Sequence, residues 1–263
     1  MAQPKPISDE LFQEVNAWPF GVRADPNDWN VKRLRKRIEQ LKSVDRSSYL
    51  DLLGALSSVT WDEAEMRSAH EASVRRSPNA ISSHDNYVCS LFRMGFFAEA
   101  AARATTVLQI EPNNARLWRR ASEVSLAAGK IRLAFAQHTR ALELAPDTQS
   151  VIPQSPVAAV ARAGDLLRIT DESAQLAISM ANNVQHRHGC YGVVASVGVL
   201  DSDEQPIISY LMGVPATCNV RALNVDLASE LASADELGDS SANLVVRYVE
   251  AVSTDANLTN RVA

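Results

Sequence analysis

Three prolines, Pro78, Pro112 and Pro146, stand 34 residues apart, and between them Gly95 and Gly129, Ala100 and Ala134, and Leu108 and Leu142 recur at the same interval. A period of this length fixes the architecture before any local propensity does, because each unit must be one supersecondary element that stacks on its neighbours. Within a unit, a first helix runs to the glycine and a second returns to the proline. Gly95 and Gly129 suit the left-handed residue that ends a helix. Ala100, Ala104, Ala134 and Ala141 are small enough for two helices to cross closely. Proline cannot continue a helix, and Asn113 and Asn114 suit the turn that opens the next one. A lone hairpin cannot bury its apolar face, so the two clear copies demand helical neighbours on both sides.

The unit resembles the tetratricopeptide repeat, a helical hairpin whose signature is carried here by Trp118, Ala121, Gly129, Ala134, Ala141, Leu142 and Pro146. In the preceding copy the matching residues are Tyr87, Gly95, Phe97, Ala100, Val107, Leu108 and Pro112. The clear copies span 81–112 and 115–146. Residues 47–78 read as a degenerate hairpin, with Leu50, Leu53 and Gly54 in the places of a first helix. Trp61 stands there in the glycine's place, and the return helix, with Ala64, Ala69 and Ala72, fits only after a shift of one. Residues 156–188 read as a further hairpin without the signature, its second helix opening at Thr170 with Asp171 and Glu172 and stopping at Gly189.

Ahead of the stack, residues 1–46 form an arm and a capping helix. Pro4, Pro6, Pro19 and Pro26 bracket a short helix from Asp9 to Ala17, and Phe12, Trp18, Phe20 and Trp29 make the arm apolar enough to pack back on the repeats. The stretch VKRLRKRIEQLK, 31–42, places Leu34, Ile38 and Leu41 on one face of a helix and its cations on the others. Such a helix either covers the repeats or binds nucleic acid or an acidic surface, and nucleic acid is disfavoured because no zinc-finger or RNA-recognition signature accompanies it.

The fold class expected is α+β, an all-α helical-hairpin stack over 47–188 followed by a small α/β domain over 189–263. Tyr191–Leu200 and Pro206–Val214 flank the polar turn DSDEQ as a β-hairpin. Asn219–Val225 reads as a third strand, Asp226–Leu237 as a helix capped by Asp226, and Asn243–Val249 as a last strand. Short connections then imply a mainly antiparallel sheet, with helix 171–188 against one face. Charge divides the same way. Residues 1–147 hold 20 Lys and Arg against 18 Asp and Glu, whereas 148–263 hold 6 against 13.

Composition narrows the function classes. With 46% hydrophobic and 22% charged residues, no apolar run of membrane-spanning length, and a start, MAQPKPISDELF, unlike a signal peptide, the chain is expected in the cytoplasm. Its three cysteines, Cys89, Cys190 and Cys218, read as reduced thiols. His186, His188 and Cys190 have ligand chemistry but lack a fourth partner, and they also suit a helix C-terminus, so no metal is assigned. Asp201, Asp203 and Glu204 lack calcium-loop spacing. No G-x-S-x-G, H-E-x-x-H, Walker or G-x-G-x-x-G motif occurs, so no catalytic residue and no cofactor are assigned.

The resemblance implies that first helices line a concave groove holding a peptide or another protein's helix. The groove-facing candidates are Ser82, Asp85, Asn86, Cys89, Phe92 and Arg93, then Arg116, Arg119, Arg120, Glu123 and Ala127. Three cations on one helix face with Asn86 beside them suit a carboxylate. Asn86, Arg116 and Arg120 match places of the clamp by which co-chaperone members hold a C-terminal carboxylate, while Asp51 and Ala55 depart from it. The reading is a non-enzymatic tetratricopeptide-type adaptor that holds a partner peptide or helix of acidic character, with a homodimer surface in the C-terminal domain. The alternative is a neutralising subunit, antitoxin- or immunity-like, whose acidic C-terminal domain binds a basic partner through Asp201, Asp203, Glu204, Asp235 and Glu236.

Overall fold

The computed structural model describes residues 7–19, 21–145, 156–191, 193–200, 205–237 and 243–250. The repeat is drawn in its helices. Helix α1 is Ile7–Asn16, α2 Trp29–Gln40, α3 Arg46–Thr60, α4 Glu63–Arg76, α5 Ile81–Arg93, α6 Phe97–Ile110, α7 Ala115–Ala127 and α8 Ile131–Leu144. The return helices α4, α6 and α8 begin at Glu63, Phe97 and Ile131, 34 residues apart. Helix α2 begins at Trp29, one further period upstream, so the register reaches back beyond the stretch that carries the signature.

The degenerate hairpin keeps its geometry by a different route. Trp61 has φ 60°, the conformation that Gly95 and Gly129 adopt at φ 80° and 77° in the next two units. A side chain in this region costs about 1–2 kcal/mol. Packing holds it there: the indole lies 4.7 Å from the Tyr191 ring, with the Arg23 guanidinium 6.0 Å over its face. Helices α3 and α4 approach closely because Gly54 leaves room for the His70 ring, which a Cβ would meet at 2.5 Å. His70 is sealed between Gly54, Tyr87 and the Ser90 hydroxyl, 2.8 Å away, and burial pulls its imidazole down to about 3.

At the N-terminus, Leu11 and Val15 of α1 and Val31, Leu34 and Ile38 of α2 share one apolar cluster with Leu52, Leu56 and Val59 of α3. The basic face of α2 is largely consumed in pairing. Arg35 binds Glu65 at 2.6 Å, Arg33 reaches Glu14, and Arg37 reaches Glu10 and Glu14.

After α8 the period stops. Helix α9, Pro156–Leu166, lies against α8, and α10, Asp171–Arg187, follows with a capping box between Thr170 and Ser173. Strands β1, Val193–Leu200, and β2, Ile207–Val214, pair antiparallel as expected. The expected third strand is instead part of a helix, α11, Val220–Ala232, capped by the Asn219 side chain on Ala222 N. Asp226 is therefore an interior helix residue, not a cap. Strand β3, Leu244–Glu250, runs parallel to β2, so the sheet is mixed and not mainly antiparallel. The helical crossover is the reason: a parallel neighbour needs such a connection, and reading 219–225 as strand removed it. The overall class is α+β.

Two further corrections follow from this topology. Cys190 and Cys218 form a disulfide across a Cα–Cα distance of 6.4 Å, not a pair of thiols, while Cys89 remains free. Pairing of Val193 with Gly213 draws together the segments outside the hairpin, a proximity invisible in their spacing of 28 residues. The H-x-H-x-C run is also dispersed. His186 lies 3.3 Å from Met94 O, His188 pairs with Asp226 at 2.8 Å, and Cys190 is in the disulfide. Among the described residues no group of three potential ligands surrounds a metal position, and no helix is long and apolar enough to cross a membrane. Asp201, Asp203 and Glu204 lie outside the described residues.

One apolar cluster runs from Met66 of α4 through α5–α10 to Ile208, Tyr210 and Met212 of β2 and Val246 and Tyr248 of β3. The Tyr248 hydroxyl donates to Ala181 O of α10, and Gly164 of α9 sits between Ile131 and Ile208. Stack and sheet thus share a core.

Candidate functional site

The first helices α3, α5 and α7 present corresponding faces, and the structure treats the three differently. On α3 the face is closed. Leu52 and Val59 are buried in the cluster containing α1, and Ala24 N donates to Val59 O. Asp51 is buried, its Oδ2 accepting from Ser83 at 2.9 Å, and burial raises its carboxyl although Ser73, Ser83 and Asn86 counter the rise. Asp51 is thus taken within the chain, while Ala55 is half-buried against the same apolar cluster.

On α5 the arm closes one end. Arg93, expected to face a ligand, is buried and donates to Trp18 O at 3.0 Å and Pro19 O at 3.4 Å, with burial pulling its guanidinium down to about 10. Phe92 packs edge-on to Phe97 at 5.1 Å, and Asn86 faces Asp51. Asp85 remains at the surface of the groove, but it is taken.

Between α5 and α7 the bridging group is Arg120. Its Nη1 donates to Asp85 Oδ2 at 2.6 Å and its Nη2 to Cys89 Sγ at 3.0 Å. A half-buried charge-assisted pair of this kind fixes the helix spacing more than it offers itself to a ligand. One turn on, Glu123 is half-buried, and burial lifts its carboxyl to about 7 against the pull of Arg119 and Arg120.

Arg116 and Arg119 project from the first half of α7 beside a cavity of about 260 Å³ floored by Ala115, Ala141, Leu142 and Ala145 and walled by His138. Neither arginine has an ion-pair partner among the described residues, and no acid lines the space. Burial lowers the His138 imidazole, so the wall there is neutral. Of the eleven groove-facing candidates, Ser82, Arg116 and Arg119 are exposed, Glu123 is half-buried next to the two arginines, Ala127 is buried, and Asp85, Asn86, Cys89, Phe92, Arg93 and Arg120 make contacts within the chain. His138, Ala141 and Ala145 were not expected. The signal for them is periodicity, since they stand 34 residues after Ala104, Val107 and Glu111.

Glu123 gives a pH test. Its folded pKa is raised from the ordinary 4.5 to about 7, so the folded chain holds the extra proton between those values and stability falls as pH rises through the window. Glu123→Gln removes that dependence. The variant is expected to gain about 1–2 kcal/mol over wild type between pH 5 and pH 8 after solvent screening, read by chemical denaturation at both values. Neither a known protein-family model nor a curated protein matches the chain.

Proposed function

We propose that this protein is a non-enzymatic adaptor of the tetratricopeptide type, which holds an acidic segment of another protein beside the cavity between α7 and α8. The observation that carries the reading is a pair of exposed cations, Arg116 and Arg119, without an ion-pair partner among the described residues and beside an apolar-floored cavity. Three other arginines of the stack, Arg35, Arg67 and Arg120, pair with Glu65, Glu99 and Asp85. Arg116 and Arg119 have no ion-pair partner among the described residues, and a guanidinium can bind a carboxylate bidentately. The apolar floor supplies the area that charge alone does not.

The test is capture from native lysate on immobilised protein. Wild type is run beside an Arg116→Glu/Arg119→Glu variant, with Arg120 left intact because it joins α5 to α7. Both replaced side chains are exposed, so the variant should melt within about 1 °C of wild type, surface changes of this kind lying within roughly ±0.5 kcal/mol. A captured protein lost from the variant by tenfold or more is the expected result. Equal capture by both moves the binding surface elsewhere, the acidic α11 region being the next place to look.

A further inference from the structure

Residues 187–190, where α10 ends, meet α11 in three links. Arg187 pairs with Glu230, His188 Nε2 lies 2.8 Å from Asp226 Oδ2, and Cys190 is joined to Cys218 just ahead of the helix. The two ion pairs lie at the surface, where such pairs contribute little. Beyond them α11 is held by the buried Leu223 and Leu227 and by the Asn224 side chain, which accepts from Tyr248 N at 2.9 Å and donates to Tyr248 O at 3.0 Å. The disulfide is the covalent link across this seam. It also closes the open end of the β1–β2 hairpin, beside the pair Val193 and Gly213.

The two sulfurs differ in access. Cys190 is buried, at 5% exposure. Cys218 is half-buried in the turn after β2, with Ala216, Thr217 and Asn219 exposed around it. Thiol–disulfide exchange requires a thiolate to reach one sulfur, so Cys218 is the one open to attack. It also stands at the N-terminal end of α11, where unpaired amides favour a thiolate. Cys190 Sγ lies 3.6 Å from His188 O, which can accept the proton of the thiol formed there.

We propose that the Cys190–Cys218 disulfide is a reversible thiol–disulfide exchange site, opened by a dithiol reductant at Cys218, and that its redox state sets how firmly α11 is held. The inference does not depend on the adaptor reading above. One thiolate of the reductant attacks Cys218 Sγ, the bond to Cys190 breaks, and Cys190 leaves as a thiolate that takes up a proton. The reductant's second thiolate then attacks its own sulfur in the mixed disulfide, and Cys218 leaves as a thiolate. Two electrons and two protons pass to the protein, and the dithiol becomes a cyclic disulfide. Reduction removes the closure over a separation of 28 residues and leaves α11 with its surface ion pairs, its buried leucines and Asn224. Local opening of α11 then becomes more frequent.

The test uses the full chain carrying Cys89→Ser, in which only this pair can react, with dithiothreitol as the reductant. Alkylation without denaturant is expected to add two labels after reduction and none after reoxidation with glutathione disulfide, read by mass spectrometry. Hydrogen–deuterium exchange over 213–232 is expected to quicken at least about tenfold on reduction and to slow again on reoxidation, while α4–α6 exchange alike in both states. Folded Cys190→Ser chain, which keeps Cys218, is expected to be alkylated at least about tenfold faster than folded Cys218→Ser chain. A pair that yields to dithiothreitol only in denaturant overturns the proposal, as does one that stays reduced in glutathione disulfide. Equal exchange over 213–232 in the two redox states overturns it too, and faster or equal labelling of Cys190 removes Cys218 as the point of attack. The exchange comparison is repeated on wild type, so it decides even where a serine variant fails to fold.

Discussion

Gly129→Ala is expected to lower stability by about 3–4 kcal/mol and the melting temperature by roughly 10 °C. Two independent costs add. Gly129 has φ +77°, where a side chain costs about 1–2 kcal/mol, and a Cβ there would lie 2.7 Å from the carbonyl carbon of Ala174 and the amide of Gln175. Those are backbone atoms of α10, which cannot rotate away, so relief requires α10 to shift, a typical overpacking cost of about 1–3 kcal/mol. Gly189→Ala is the control. It has φ +64° but no atom within 4 Å of the new Cβ, so only the backbone cost of about 1 kcal/mol applies. Thermal melts of the two variants should differ severalfold in their shift. Equal shifts would mean that α10 does not press on the α7–α8 turn.

Truncation after residue 188 is expected to abolish cooperative folding of the helical stack. Ile208, Tyr210, Met212, Val214, Leu244, Val246 and Tyr248 are all buried at 7% exposure or less in the cluster that also holds α9 and α10. Each such side chain contributes about 1.5–3 kcal/mol on burial, and their loss together exceeds a typical total stability of about 5–15 kcal/mol. The shortened chain should melt without a sharp transition and bind a hydrophobic dye, while the full chain melts in one transition by both near- and far-ultraviolet dichroism. A truncated chain that keeps the full chain's melting temperature would make the sheet an independent domain.

The repeat was legible because helix length and turn position are set locally, by Gly95, Gly129 and the prolines. The upstream extension at α2 was not legible, since its packing residues, Val31, Leu34 and Ile38, follow helical spacing without the alanine and glycine places of the signature. In the C-terminal part, Leu223 and Leu227 carry the helical stripe of α11, but the preceding Asn219–Val225 has enough β-favouring character to read as strand. That one misreading changed the direction of β3. On the first helices, sequence could not tell an exposed arginine from one used as a cross-link. Arg93 and Arg120 meet the Trp18 and Pro19 carbonyls and Asp85, whereas Arg116 and Arg119 have no ion-pair partner among the described residues.

Hydrogen–deuterium exchange of the protein, free and saturated with its captured partner, tests the location of binding most directly. The account predicts new protection confined to 115–119 and 138–145, the first half of α7 and the second half of α8, with exchange in α11 and β3 unchanged. Protection centred on 220–237, with α7 and α8 exchanging as in the free protein, would contradict it and assign the partner to the acidic C-terminal part.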